Sequence, residues 1–444
     1  MNKVKFILIA LVIFFAAQTS ANAQIKLITL HNGLTVIYKQ NTSNQIVALD
    51  LFIKAGSSRE TKEQAGITNF IHHLLLKGTP TRSAQELALE IESIGGVINA
   101  DVADDYSEAY VIVTSEHFEK AMEILFDTVE NPLFLQEEIE KERSLILSQI
   151  RSKEDSIFET AFDELNKTLY QDHPYSKPVI GTRETISSIT REDIIAFHKD
   201  VYKPRNMVLV IVGDVKEKLL MSALKNIEKG WKSLPEGVDD EKQINKSEIF
   251  NELLPERGEA LTKSIEGKFE QAYMMSAYLV PGISSSDYPP IKVMNALLGG
   301  GMSSRLFVNV RDRDALAYEV GSFYPSRKLT SKFVIYLGLD AKNMDKAQKS
   351  IEGELNRLKT EKVGEAELTE IKNYLKGVFL VEHQKNQKQA WHLGWYHVLG
   401  KGYSYDKTYV EALEKVTPED ILRVAQQYFK DENKVTIKIL PEAR

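Results

Sequence analysis

Apolar positions along the chain fall into two alternating patterns. Short β-branched runs at Val47 to Lys54, Ala109 to Thr114 and Val208 to Val212 predict strands. Between them lie longer stretches with helical spacing. Leu87, Leu89, Ile91 and Ile94 give Ala84 to Ile94 a loosely helical pattern, and Leu135 to Leu169 is long, charged and helical in composition. Strands alternating with helices indicate an α/β or α+β class with mixed sheets, and the α+β form is the one expected here.

The pattern occurs twice. Ile189-Thr190-Arg191-Glu192-Asp193-Ile194 is echoed 227 residues later by Val416-Thr417-Pro418-Glu419-Asp420-Ile421. At the same offset Lys203 meets Lys430, Asn206 meets Asn433 and Val208 meets Val435. Each copy reads as a Thr N-cap with an Asp capping partner, then an amphipathic helix, then a β-branched strand. Pro418 takes the first helical position, where its missing N–H is harmless. Gln45 to Gly56 and Gln271 to Gly282 match at an offset of 226, each spanning a predicted strand. The expected organisation is two homologous domains, 24–234 and 258–444, each a mixed sheet packed with helices. The polar stretch 235–257 is expected to join them.

The first residues read differently. Lys3 and Lys5 precede a twelve-residue apolar run, Phe6 to Ala17, and Ala21-Asn22-Ala23 forms a small-x-small site before Gln24. This predicts a signal peptide over 1–23, export to the periplasm or outside the cell, and no membrane span after cleavage. The 444 residues include no cysteine, which excludes disulfides, a thiol nucleophile and Cys-based zinc or Fe–S sites. A net charge of −7 argues against gripping nucleic acid through charge.

Candidate chemistry centres on Ala65-Gly66-Ile67-Thr68-Asn69-Phe70-Ile71-His72-His73, running on to Lys77-Gly78-Thr79. The stretch resembles the signature of the insulinase/pitrilysin zinc peptidases, the inverzincins, whose motif is H-x-x-E-H. Asn32-Gly33-Leu34, Gly95-Gly96 with Asn99-Ala100, Ile180-Gly181-Thr182 and Arg305-Leu306-Phe307 fall where that family carries similar words. In such a motif two His four apart hold Zn²⁺ and the Glu serves as general base on bound water. A Glu about 76 residues later completes the site in the family. Here Asn69 replaces the first His, His72 replaces the Glu, and Gln149 stands where the later Glu belongs. His73 and the nearby Glu142 remain. Neighbouring His72 and His73 diverge by about 100° on a helix, so one is expected to pack and the other to face a chamber. No metal is expected on this chain.

The second half keeps another part of the resemblance. Gly299-Gly300-Gly301 and Ser304-Arg305-Leu306-Phe307 lead to Arg311 and Tyr318, seven residues apart. The resemblance implies that such an Arg and Tyr reach the substrate across a chamber from the half opposite the zinc, where they would bind a scissile carbonyl. It also places Asn99 and Ala100 on a strand that pairs with extended peptide. The triple glycine is not followed by the Lys-Ser/Thr of a phosphate loop. The expected function is a non-catalytic subunit that forms a heterodimer with a zinc-bearing homologue and supplies half of a peptide-binding chamber. Two further readings stay open: a peptide-binding or scaffold protein without a catalytic role, and an autonomous zinc metallopeptidase.

Overall fold

A computed structural model describes residues 25–231 and 258–442. The expected signal peptide and the whole of the expected linker, 235–257, lie outside the described residues. The first half contains strands β1 (Ile25–Thr29), β2 (Thr35–Gln40), β3 (Ile46–Ile53), β4 (Val97–Val102), β5 (Ser107–Thr114) and β6 (Met207–Gly213). Its helices are α1 (Ile67–Leu75), α2 (Ala84–Ser93), α3 (Phe118–Glu130), α4 (Gln136–Glu154), α5 (Ile157–Tyr170), α6 (Arg183–Ser188), α7 (Arg191–Val201) and α8 (Glu217–Gly230). The second half contains β7 (Leu261–Gly267), β8 (Ala272–Val280), β9 (Glu319–Phe323), β10 (Ser331–Leu339) and β11 (Lys434–Pro441). Its helices are α9 (Tyr288–Gly299), α10 (Met344–Thr360), α11 (Glu365–Glu382), α12 (Asn386–Val398), α13 (Tyr405–Glu414) and α14 (Pro418–Tyr428).

Topology repeats as the sequence does. The first sheet runs β1-β2-β6-β3-β5-β4 and the second β7-β11-β8-β10-β9. In each, one parallel pair (β2/β6, β7/β11) is followed by antiparallel pairs to the edge strand. Thr35 and Leu261 open corresponding strands 226 residues apart, and Met207 and Lys434 do so 227 apart. Thr190 and Thr417 each form a capping box, with Asp193 and Asp420 as the partners. The long helical stretch after Leu135 is two helices. The chain breaks at Asp155, and the Ser156 hydroxyl accepts from the Glu159 N–H to start α5.

That break sends α5 across to the other half. Ala161, Leu165 and Leu169 of α5 pack with Tyr273, Met275 and Ala277 of β8 and with Val435, Ile437 and Ile439 of β11. The corresponding helix of the second half, α12, lies on β3 and β6 of the first sheet. There Ala390, Leu393 and Tyr396 join Ala48, Phe52, Val208, Val210 and Val212 in one core. Alternate residues of β3 (Val47, Leu49, Leu51 and Ile53) point the other way, into the core of the first half's own helices. Each central strand is therefore buried on both faces, which is why β6 reads as an unbroken apolar run. Polar ties cross the same boundary. Asn386 bonds Asn41, Asn44 and the Ile46 carbonyl, and Arg327 pairs with Asp104 at 2.8 Å. Asp105 accepts from the Tyr175 hydroxyl and the Lys328 N–H.

Gly394 marks the tightest point of this exchange. A Cβ there would lie 2.2 Å from Phe52 Cε2. Gly377 in α11 has open space around it. Gly394→Ala is therefore expected to destabilise the fold by about 1–3 kcal/mol through overpacking. Gly377→Ala should stabilise it by roughly 0.5–1 kcal/mol. Urea unfolding of the two variants checks this, and equal stabilisation by both would contradict the contact of α12 with Phe52.

Candidate functional site

Helix α1 carries the degenerate motif, and the first half holds it in place through buried polar contacts. Gly66 takes φ 93° at its N-terminus. No side chain at that position caps the helix, so the Glu60 carboxylate reaches back instead and accepts from the Gly66 and Thr68 N–H groups at 2.8 and 2.9 Å. Burial raises Glu60 to about 7, against the lowering effect of those bonds. A Cβ on Gly66 would meet Gly181 Cα at 2.7 Å, so Ala65-Gly66 and Ile180-Gly181-Thr182 fit together backbone to backbone. The Thr185 hydroxyl adds a bond to the Ala65 carbonyl at 2.7 Å.

The two histidines part company. His72 is 3 % exposed, sits 6.0 Å from the Tyr202 ring, and faces the backbone of Glu108. Burial, with help from nearby His73, pushes it down to about 3, so it is neutral. His73 lies half-buried, and its Nδ1 is 3.0 Å from Glu142 Oε2 on α4. The other oxygen of Glu142 binds Lys77 Nζ at 2.7 Å. Lys77 lies just past the C-terminal end of α1, beyond the capping Leu76, and no local spacing signals its contact with Glu142, so the motif comparison passed over it. Asn69 is half-buried and Gln149 exposed.

This donor set does not suit zinc. A zinc site takes thiolate, imidazole or carboxylate donors at about 2.0–2.3 Å. At the motif positions only His73 qualifies. The adjacent Glu142 is already neutralised by an ammonium and bonded to His73, while the spare imidazole of His72 is turned into the core. Among the described residues no group of three His, Asp or Glu side chains converges as a metal site.

Asn99 and Ala100 lie on β4, the edge of the first sheet, against which α1 packs. Asn99 Nδ2 donates to the Tyr110 hydroxyl at 3.3 Å. Asn99 and Asp101 are exposed and Tyr110 half-buried. Helix α12 covers β6 and β3, and these β4–β5 residues stay open toward the second half. Next to them lies a feature that sequence reasoning missed, because it is spread over two strands. Asp50 of β3 and Glu108 of β5 are buried together, and each retains an unpartnered oxygen. Burial first, then the charge of Asp101, raises Glu108 to about 8, and burial with Glu108 raises Asp50 well above its usual range.

Arg311 and Tyr318 belong to the approach to β9, the second sheet's edge and the counterpart of β4. A π-type helix, Phe307–Arg313, carries Arg311, whose guanidinium lies 4.8 Å from the Phe307 ring centroid. It forms no ion pair with its acidic neighbours; Arg313 pairs with Asp314 instead. Ala315 then adopts φ 50°, a left-handed conformation without glycine's freedom. Tyr318 follows with its N–H on the Gly338 carbonyl, and its side chain is 57 % exposed. No hydrogen bond links Arg311 to Tyr318, and both residues are exposed. Gly299 lets the end of α9 touch β9: a Cβ would meet the Ser322 N at 2.3 Å. Gly301 has no such constraint.

Two duplicated halves, exchanged helices and matching open edges define a peptidase scaffold with an incomplete metal motif. A profile described as Insulinase (Peptidase family M16) matches residues 35–183, and one described as Peptidase M16 inactive domain matches 188–375. A Rickettsia felis protein named an uncharacterized zinc protease is 30% identical over 402 residues, covering 90% of this chain and 94% of its own. The mitochondrial-processing peptidase subunit beta of Lentinula edodes is 28% identical, covering 94% and 90%. A protease structure from Helicobacter pylori superposes with a TM-score of 0.87 at 25% identity, over 94% of this chain and 100% of its own. The chain belongs to the insulinase family of peptidases, M16.

The buried neutral His72 has a measurable consequence. Its folded pKa lies below the ordinary value near 6.5, so the unfolded chain takes up the proton first. Its contribution to stability is complete above about pH 6.5 and is lost as pH falls toward 3. From about pH 7.5 to about pH 5 the wild type should lose about 2 kcal/mol more than His72→Phe in urea unfolding. Parallel losses in the two proteins would mean that His72 is not held neutral in the core.

Proposed function

We propose that this chain is a non-catalytic subunit of an M16 peptidase complex and pairs with a zinc-bearing homologue. The observation that carries the reading is the split between its two halves. The metal motif is dismantled, with His72 in the core and Glu142 tied to Lys77, while Arg311 and Tyr318 are exposed and Arg311 forms no ion pair. An Arg and a Tyr so placed suit the recognition of a peptide carbonyl and the stabilisation of negative charge on its oxygen. The partner would supply the metal and the general base. This chain would supply Arg311, Tyr318, the open edge at Asn99 and Ala100, and half of the enclosing chamber. An extended peptide could add to that edge through its backbone.

The match to an M16 inactive-domain profile and the likeness to a processing-peptidase subunit support the pairing. Relatives named zinc proteases favour an autonomous peptidase, but the donor set at residues 69, 72, 73 and 149 argues against that for this chain. The apolar run at Phe6 to Ala17 and the site at Ala21 to Ala23 support export, with the complex working in the periplasm or outside the cell. No helix among the described residues is long and apolar enough to cross a membrane.

Co-expression with the zinc-bearing homologue provides the test. The two chains should purify together and cleave peptides. Arg311→Ala should lower kcat/KM of the complex by roughly 10²–10³-fold, the usual effect of losing one oxyanion donor. Tyr318→Phe should also lower it, with assembly unchanged for both. Wild-type rates in both variants would overturn the roles given to this pair.

A further inference from the structure

A cavity of about 400 Å³ opens between α12 and the helices α9 and α11 of the second half. That volume lies in the range that holds a small organic ligand. Its walls are largely aromatic. Trp391 and Trp395 stack with centroids 5.0 Å apart and planes 17° apart, and Phe379, Tyr288, Tyr324 and Tyr396 are among the other lining residues. Trp391 and Lys388 also reach Glu108 on β5, so the cavity adjoins the open strand pair that carries Asn99.

Charge in the cavity is unbalanced. Lys292 and Lys388 both line it against one lining carboxylate, Glu382, and Glu108 faces Lys388 from beyond the lining. Glu382 already accepts from His392 Nε2 at 3.2 Å. Lys388 lies 5.5 Å from the centroid of the Trp391 ring. Burial lowers Lys292 from its ordinary range, and Glu382 offsets this only in part. An occupant suited to these walls has a large apolar body and a negative charge attached to it. Most internal residues of a peptide lack that combination. A C-terminal residue with a large side chain has it.

We propose that this cavity binds the C-terminal residue of a peptide. Its aromatic or long aliphatic side chain lies against Trp391 and Trp395, and its carboxylate pairs with Lys292 and Lys388. This rests on the reading of the chain as a peptide-binding subunit and makes that reading more specific. The peptides taken would be ones with a free carboxyl end, rather than loops of folded proteins.

The test uses the full chain and its own fluorescence. Two of its three tryptophans line the cavity, while Trp231 packs beside Phe126 in the outer core of the first half and serves as background. Three tryptophan-free hexapeptides are titrated: one ending in Phe as the free acid, the same one as its amide, and one ending in Ser as the free acid. The Phe acid should shift the emission and bind at least about tenfold more tightly than either of the others, the loss expected when one charged contact of about 1.4 kcal/mol or more is removed. Lys292→Met should narrow the difference between acid and amide, and Lys292→Met with Lys388→Met should erase it, while binding of the amide persists. Equal affinity for acid and amide, or for Phe and Ser ends, would overturn this inference and leave the subunit reading standing. No binding of any of the three would overturn both this inference and the peptide-binding reading beneath it.

Discussion

The structure depends on a reciprocal exchange of helices. Each half lacks a cover for one face of its central strands, and the other half provides it through α5 or α12. A sheet buried on both faces needs helices on both, and a single 200-residue half supplies only one layer of its own. The two halves are consequently fixed with respect to each other by apolar packing, not only by surface pairs. Buried polar contacts such as Arg327 with Asp104 and Asn386 with the Ile46 carbonyl set the register of that packing.

Function follows from where the exchange stops. Helix α12 covers β3 and β6 and leaves the inner face of β4 and β5 open. The same helix turns Trp391 and Lys388 toward that opening. The candidate peptide edge, the buried acids Asp50 and Glu108, and the aromatic cavity therefore border one space. Arg311 and Tyr318 stand at the equivalent edge of the second half, outside its apolar core. The metal motif is built on a helix of the first half whose own contacts are sound, so its loss of donors has not disturbed the scaffold. His72 fills core space where a charged residue would need a partner.

Much of this organisation was legible in the sequence, because duplication writes the same signals twice. Thr190 and Thr417, with their Asp partners, fixed two helix starts, and the runs around Val47 and Val208 fixed central strands. The missing donors at Asn69, His72 and Gln149 were equally plain. Other features depend on contacts between distant segments. Ser156 with Glu159 three residues on is a local helix-start signal, but nothing local shows that the helix it starts crosses to the other half. Leu89 belongs to an apolar pattern yet is exposed, because Leu87 and Ile91 already satisfy the face of α2 that packs. Asp50 and Glu108 come together only when β3 pairs with β5. The Lys77 contact with Glu142 forms only where the segment after α1 meets α4.

The central claim is that this chain retains the peptidase scaffold while lacking the means to hold its metal. Metal analysis of the purified chain, after equilibration with zinc and removal of loosely bound ions, tests it most directly. The account predicts zinc far below one equivalent, with the fold unchanged by chelator. Zinc near one equivalent that survives dialysis and is lost on replacing His73 would contradict it.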